Sequence, residues 1–302
     1  MFSPVAKRKV FFTISAILIA ISVVLLFAKG LNYGIDFTGG STIEIDMKKE
    51  IKNFSEVEKQ IEGIVKTEAK TDNVIVQKTG STGVFIKTAE LSNEQSEAVV
   101  SKIKSTFSLK DKNIVSNEKV SGTVSGRLIG DSLKAIFLAV LLMLLYITFR
   151  FDFQSGTSAV IALAHDVIIM LGFYSLFGLT VNTSFIAAIL TIVGYSINAT
   201  IVVFDRVREN AKTMRNATPD DVADEAIKSS YFRAINSSLT TLFTIGVLYV
   251  MGVSSIKEFA LPIIVGIVAG TYSSLFIASP FWAWWKGGSN DKKAYSSKKK
   301  NA

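Results

Sequence analysis

The chain of 302 residues contains no cysteine, a single histidine, four prolines and three tryptophans. Without cysteine it has no disulfides, thiolate metal ligands or cysteine nucleophiles, so any domain outside the cytoplasm must be stable without covalent cross-links. We find no catalytic constellation, no metal-ligand spacing and no cofactor motif. The sequence therefore predicts a protein that catalyses no bond chemistry and needs no cofactor or metal.

Apolar residues make up 49% of the chain and are clustered, which argues against one soluble core. A bilayer requires about 20 mostly apolar residues per helix. The fifth apolar run is the weakest, because it begins with hydroxyl and amide side chains of the kind that pack against other helices. We predict six transmembrane helices, at residues 10–28, 129–149, 158–179, 184–204, 239–253 and 259–278.

The net charge of +8 comes from short segments that flank the apolar runs, which indicates membrane topology rather than nucleic-acid binding. Basic residues of the short loops collect on one side, which we predict to be cytoplasmic and to hold both termini. Residues 1–9 then form a basic cytoplasmic N-terminus, and residues 29–128 form an extracytoplasmic domain. Residues 129–286 hold helices two to six with a cytoplasmic helical loop near 205–236, and residues 287–302 form a basic cytoplasmic tail.

The first span follows Lys7, Arg8 and Lys9, a pattern shared by cleavable signal peptides and uncut anchors. Its apolar run exceeds the usual signal-peptide core of about 7 to 15 residues, which favours the anchor.

The last span carries two packing signals. The three tryptophans, at positions 282, 284 and 285, predict an aromatic belt at its cytoplasmic end. Gly266 and Gly270 form a GxxxG motif, for which contact within the bundle is favoured over homodimerisation.

In the extracytoplasmic segment, the spacing of apolar residues alternates between the periods typical of strands and of helices, as in an α+β unit. Strands are predicted at residues 41–47, 73–78, 84–88 and 114–120. Two helices carry capping boxes, Ser55-x-x-Glu58 within residues 53–66 and Ser92-x-x-Gln95 before the second helix. The order βαββαβ predicts a ferredoxin-like domain, and its interspersed charges favour a binding module over an enzyme.

A glycine-rich segment leads into the first strand. It lacks the lysine of a phosphate loop, and no helix is predicted to begin there. A tight entry that depends on glycine is favoured. We interpret the segment as a hinge or joint formed by Gly34, Asp36, Gly39 and Gly40.

Ionisable and strongly polar residues inside a bilayer are expensive, so each is a functional candidate. His165 and Asp166 lie in the third span, where structural pairing and proton or ion handling are equally favoured. In the fourth span, one stripe of the helix holds Thr191, Tyr195, Asn198 and Asp205. We prefer to interpret this stripe as the wall of an interior pathway.

The cytoplasmic ends of the fourth and fifth spans hold further charges. Asp205, Arg206, Arg208 and Glu209 extend the fourth helix, with a salt-bridged collar as the simpler alternative. Thr218-Pro219-Asp220-Asp221 predicts the start of a separate cytoplasmic helix. Arg233, at the entry of the fifth span, suits either a positive-inside anchor or an ion-pair partner for a membrane carboxylate.

Residues 194–210, GYSINATIVVFDRVREN, resemble the signature of the SecD/SecF family of the resistance-nodulation-division superfamily, including Gly194, Asp205, Arg206 and Glu209. Three further segments resemble motifs of that family: residues 34–41, residues 164–167, and Arg233 with the hydroxyl residues after it.

The resemblance implies a subunit of a SecD-containing complex that assists the SecYEG translocon by using the proton-motive force. Implied partners are SecD, SecYEG, SecA, YajC, YidC, unfolded preprotein and membrane lipid, in the bacterial cytoplasmic membrane. Asn198 and Arg233 would line the proton pathway. The family usually has Asp after this Asn, whereas the chain has Ala199, so coupling would rest on a SecD aspartate with Arg233, or on His165 and Asp166.

Two other functions remain as alternatives. One is half of a small-molecule or lipid exporter of the same superfamily. The other is a non-transporting assembly scaffold, which the loss of the carboxylate at Ala199 favours.

Overall fold

The computed structural model describes residues 3–214 and 216–288, so most of the predicted basic tail lies outside the described residues. The chain divides into two compact units: an α+β unit, Tyr33–Asp131, and a helical unit formed by the chain on either side of it. The helices are α1 Arg8–Ala28, α2 Ile35–Thr38, α3 Phe54–Ala69, α4 Asn93–Phe107, α5 Gly122–Arg150, α6 Phe153–Phe177, α7 Thr183–Thr213, α8 Pro219–Met251, α9 Ser254–Ser273 and α10 Ser279–Gly288. The strands are β1 Asn32–Tyr33, β2 Gly40–Asp46, β3 Val74–Thr79, β4 Gly83–Thr88, β5 Ile114–Val120 and β6 Thr180–Val181.

The α+β unit is built on a four-stranded antiparallel sheet with the order β3-β4-β2-β5. Apolar residues at alternate strand positions share one face, so that Ile43 lies opposite Ile86 in the register of β2 and β4. The apolar faces of α3 and α4 complete the core, with Ile61 and Val99 fully buried in it. The first and third strands of the unit are neighbours, as in the predicted ferredoxin-like arrangement.

The two predicted capping boxes of this unit have different outcomes. Ser92 accepts a hydrogen bond from the backbone N–H of Gln95, and the Gln95 side chain accepts from the backbone N–H of Ser92, as predicted. The box at Ser55 is wrong, because the N-cap of α3 is Asn53, two residues earlier, and that side chain makes no capping hydrogen bond. The two-residue shift of the helix start moves Ser55 inside the first turn.

Six helices among the described residues are long and apolar enough to span a membrane, as predicted. The sixth of them runs through Ile256–Gly287 and contains a π-helical segment, Ser274–Ala278, between α9 and α10. It packs against α6, α7 and α8 and is the most buried of the six. It therefore forms the centre of the helical unit.

Helix α8 corrects the predicted boundaries of the fifth span. The structure has one continuous helix from Pro219 to Met251 in place of a separate cytoplasmic helix followed by a span. Thr218 caps its start through a capping box with Asp221. No glycine or proline interrupts residues 220–245, so nothing in that stretch stops the helix.

Helix α6 also differs from its prediction, since it ends at Phe177 rather than at Leu179. Gly178 adopts a left-handed conformation with φ of 64° directly after it, which is the usual way for a helix to end.

Polar contacts mark the two ends of the helical unit. At one end, Arg8 donates to both carboxylate oxygens of Asp220 at 2.8 Å, and Lys286 lies 2.7 Å from Asp152. At the other end, the Asn182 amide donates to Glu258 at 2.5 Å. One end of the helical unit therefore holds the start of α1 and of α8, together with the α5–α6 turn and the end of α10.

The GxxxG motif faces α7, which confirms the prediction of a contact within the bundle. A Cβ atom added to Gly266 would lie 2.5 Å from Ile192 Cγ1, and one added to Gly270 would lie 2.9 Å from Ser196 Oγ. The two glycines allow α9 and α7 to approach more closely than larger residues would permit.

Candidate functional site

Asp166 lies at the centre of a buried polar cluster where α6, α7 and α9 meet. Its side chain is fully buried, and its Oδ1 lies 3.0 Å from Nδ1 of the neighbouring His165. Its Oδ2 accepts hydrogen bonds of 2.8 Å from Ser196 on α7 and from Ser273 at the end of α9. The Asp166 carboxylate is thus surrounded by the neighbouring histidine on its own helix and by two hydroxyl groups from other helices.

The start of the π-helical segment extends this cluster by one layer. Thr200 Oγ1 and Ser274 Oγ share a hydrogen bond of 2.8 Å, and both oxygens lie within hydrogen-bond distance of the backbone oxygen of Ser196, at 3.1 and 3.2 Å. Ser274 is fully buried. π-Helical turns occur frequently at functional sites, and this one begins next to Ser273, which binds Asp166.

The other face of His165 meets an aromatic residue. Its ring stacks on Tyr272 with the centroids 5.9 Å apart and the planes at 24°. The Tyr272 hydroxyl donates to the backbone oxygen of Phe11 and accepts from Ser15, both on α1. His165 Nε2 is buried and has no hydrogen-bond partner among the described residues. One imidazole nitrogen is therefore paired while the other is not.

The second cluster predicted from the sequence lies on a different side of α7. Asn198, Ala199 and Arg233 line a cavity of about 90 Å³ between α7 and α8, together with Tyr195, Val202, Ala234, Ser237 and Ser238. No carboxylate belongs to this lining. The structure thus separates the candidates into an Asp166 cluster and an Arg233 cavity, which share α7 but no residue.

This chain covers the stripe of Thr191, Tyr195, Asn198 and Asp205 only in part, since Tyr195 is half-buried with its hydroxyl inside, so the interpretation of the stripe as a pathway wall stays a prediction. Thr191, Asn198 and Asp205 are exposed, and Arg233 on α8 is exposed beside them. The polar residues of α7 that do face the interior are Ser196 and Thr200. Helical periodicity showed which residues share a face but not which face the other helices cover.

The charged end of α7 forms the predicted salt-bridged collar in part. Asp205 accepts a hydrogen bond of 3.1 Å from Arg150 at the end of α5, and Arg206 pairs with Glu209 one turn further along. An open cleft of about 510 Å³ lies here, lined by Asp205, Arg206, Glu209, Arg208, Lys212 and Arg233. Signature residues and Arg233 therefore meet at the same end of the helical unit.

The glycine-rich segment is tightly built. Contrary to the prediction, a one-turn helix, α2, begins in it, with Gly34 as its N-cap and Asp36 in its first turn. Gly39 and Gly40 follow with positive φ values of 69° and 119°, and a Cβ on Gly40 would lie 2.3 Å from the Thr88 backbone oxygen. Both positions require glycine.

Sequence reasoning missed Tyr272, Ser273 and Ser274 as members of the Asp166 cluster. A possible signal is their position, since they directly follow the GxxxG motif whose second glycine contacts Ser196. Close approach of two helices makes hydrogen bonds between small hydroxyl residues possible.

Comparisons with known proteins agree with the architecture. The family model "Protein export membrane protein SecD/SecF, C-terminal" matches residues 99–288, and the model "SecD/SecF GG Motif" matches residues 24–51. A crystal structure of SecDF from Thermus thermophilus, described as a translocon-associated membrane protein, superposes with a TM-score of 0.84 at 33% identity; the match covers 94% of this chain and 38% of that one. The chain is a multi-pass membrane protein that belongs to the SecD/SecF family of protein export membrane proteins.

Within that family the chain matches proteins named protein translocase subunit SecF over nearly their whole length. It is 37% identical to the one from Petrotoga mobilis, covering 91% of this chain and 93% of the relative. It is 36% identical to the SecDF protein of T. thermophilus, covering 94% of this chain and 38% of the relative. The chain thus matches one part of the longer fused protein and 93% of the shorter P. mobilis one.

Proposed function

We propose that the chain is a subunit of a SecD–SecF complex that assists protein export through SecYEG and uses the proton-motive force. Its relatives are named translocase subunits, and the fused relatives carry further chain length that a partner would supply. Both termini lie in the cytoplasm, and the α+β unit lies outside, where it contacts unfolded preprotein. SecA, YajC and YidC are further partners of the complex.

The observation that carries the proposal is the polar face of α7 and α8. Asn198 and Arg233 are exposed there although they lie on predicted spans or at the entry of one. Placing a charged side chain against lipid costs about 2.5 to 3.5 kcal/mol on insertion scales. We infer that SecD covers this face, which spares Asn198 and Arg233 contact with lipid tails.

The missing carboxylate fits the same arrangement. Ala199 occupies the cavity wall where the family usually has Asp, and no carboxylate lines the cavity. Asp205 and Glu209 line the neighbouring cleft with Arg233, but they pair with Arg150 and Arg206. In the proposed complex Arg233 pairs with a membrane carboxylate of SecD, and the two subunits complete one proton pathway between them. Gly34, Asp36, Gly39 and Gly40 form the joint between the first span and the outer unit.

A pulse-chase experiment on a secreted precursor tests this function. In cells that lack the chain, precursor maturation and release are expected to slow, and the wild-type chain restores them. Arg233→Ala fails to restore export, whereas Arg233→Lys, which keeps the charge, restores it in part. Normal maturation without the chain would contradict the proposal; hypersensitivity to toxic compounds with intact export would indicate a small-molecule exporter instead.

A further inference from the structure

We propose that His165 and Asp166 form a proton-binding site within this chain, which takes up and releases one proton through Nε2 of His165. The site is distinct from the Arg233 cavity. The inference deepens the proposed function, because it rests on the chain taking part in proton movement.

The hydrogen bonds around Asp166 define what the site can hold. Ser196 and Ser273 both donate to Oδ2, and His165 Nδ1 occupies Oδ1. The titratable side chain that contacts Asp166 among the described residues is His165 itself. No lysine or arginine contact of the described residues compensates the carboxylate, so the charge of the site is set by this pair alone.

Because Ser196 and Ser273 both donate to Oδ2, that oxygen carries no proton, and with this arrangement two protonation states give the pair no net charge. In one, the Asp166 carboxyl group is protonated and donates to Nδ1, so the imidazole proton is on Nε2. In the other, Asp166 is ionised and His165 carries protons on both nitrogens. Nε2 therefore bears a proton in both neutral states.

Removing that proton leaves ionised Asp166 beside a neutral imidazole protonated on Nδ1, with a net charge of −1. An uncompensated charge is costly in a buried site, whereas the neutral pair is not penalised in this way. The single proton that changes the charge of the site therefore enters and leaves at Nε2. This nitrogen has no partner among the described residues, so its exchange with an incoming donor or acceptor breaks none of the hydrogen bonds found here.

The elements packed around the pair contribute mainly neutral groups. Helix α1 brings hydroxyl and aromatic residues, α7 brings Ser196, and α9 brings Tyr272 and Ser273. Tyr272 is the titratable side chain that contacts His165, and its hydroxyl is engaged with α1. The contacts thus favour proton exchange at His165 over transfer through a neighbouring charged residue.

The position of the pair also separates it from the Arg233 cavity. Ser196, which binds Asp166, and Asn198, which lines the cavity, are two residues apart on α7 and so project about 200° apart around the helix. The two sites lie on opposite sides of one helix, and each can be altered without touching the other.

The chain has one histidine, which makes a direct measurement possible. The full-length chain, labelled with ¹⁵N at histidine, is reconstituted with unlabelled SecD in lipid nanodiscs and followed by NMR from about pH 5 to pH 10. The expected result is a protonated Nε2 that loses its proton in a single step as the pH rises. In Asp166→Asn the imidazole is neutral, so this step is absent over the same range.

Ser158→Ala is the matched control, because Ser158 is fully buried on the same helix and donates to the backbone oxygen of Gln154. It is expected to show the wild-type step. The proposal is overturned if the wild-type Nε2 keeps one protonation state over the whole range, whether protonated throughout or unprotonated with the proton fixed on Nδ1, or if Asp166→Asn keeps the step. The wild-type spectrum decides even if a variant does not fold, and it does not depend on the export assay, so either proposal can fail without the other.

Discussion

Ser196 on α7 donates a 2.8 Å hydrogen bond to Asp166 on α6, and Gly270 of α9 lies against the same serine. This relationship joins three spanning helices at one point. It also shows why the sixth span carries a GxxxG motif: the second glycine leaves room for the serine that reaches the buried carboxylate.

Gly270→Ala is therefore expected to destabilise the helical unit. The added Cβ would lie 2.9 Å from Ser196 Oγ and 3.4 Å from Asp166 Oδ2, so the helices must separate. The expected loss in free energy of unfolding is about 1 to 3 kcal/mol, measured by unfolding in detergent. Gly246→Ala on α8 is the matched control, since its Cβ would meet nothing within 4 Å; an equal loss in both variants would refute the role of close packing.

Six spans and the order of the α+β elements were predictable from the sequence because they depend on local patterns of apolar residues. The strand at 114–120 and the cap at Ser92 were placed correctly for that reason. The partners of Asp166 were not predictable, because Ser273 is 107 residues away along the chain and only the packing of α9 on α6 brings it close.

The length of α8 shows a different limit. Hydropathy marks only the apolar part of a helix, whereas the helix itself continues until a cap or a breaker stops it. Asn198 and Arg233 show a third limit, since the partner that we propose covers them is not contained in this sequence.

The entry into β2 provides a second stability prediction. In Gly40→Ala the new Cβ would lie 2.3 Å from the Thr88 backbone oxygen, and no side-chain rotation can relieve a clash with a backbone atom. The φ of 119° at this position is also unfavourable for alanine. We expect the free energy of unfolding of the α+β unit to fall by about 1 to 3 kcal/mol. The measurement is amide hydrogen exchange in the full-length chain, which should become faster in β2 and β4.

Gly63→Ala in α3 is its control. The new methyl group meets nothing within 4 Å, and alanine is favoured over glycine in a helix by about 1 kcal/mol. Exchange should therefore slow in this variant. Unchanged protection in Gly40→Ala would show that the segment relaxes freely and does not need glycine there.

Asp152 links the cap of α6 to the end of α10 and should make stability depend on pH. Burial raises the pKa of Asp152, but hydrogen bonds from Lys286 and Ser155 outweigh it and hold the pKa below its ordinary value. The stabilisation is thus complete above the unfolded-state pKa of about 3.9 and is lost as the pH falls through the lower folded-state pKa.

Asp152→Asn tests this directly. Asparagine can still accept the hydrogen bond from the Ser155 backbone N–H that caps α6, but it cannot form an ion pair with the Lys286 ammonium group. At neutral pH we expect a loss of about 1 kcal/mol, since both partners are partly exposed. Unfolding measurements should show the difference from wild type shrinking as the medium becomes more acidic. Lys286→Met should cost a similar amount, and losses that simply add in the double variant would contradict the pairing.

Restoring the carboxylate tests the proposed division of the proton pathway. Ala199→Asp places a second acid near Arg233, in the cavity that they both line. We expect export by the complex to continue, because the partner's carboxylate already supplies the function, and to become less dependent on that partner residue. Pulse-chase measurements with the partner carboxylate removed would show partial rescue by Ala199→Asp; no rescue would contradict a shared pathway.

The most direct test of the account is whether SecD covers the face formed by α7 and α8. The chain has no cysteine, so Asn198→Cys introduces its only thiol. We predict that this thiol cross-links to single cysteines in the membrane helices of SecD in native membranes. Leu18→Cys on α1, which is also exposed but on a helix that packs on α6 rather than on α7 or α8, should not. A cross-link at Leu18 and none at Asn198, in a complex that still exports, would contradict the account.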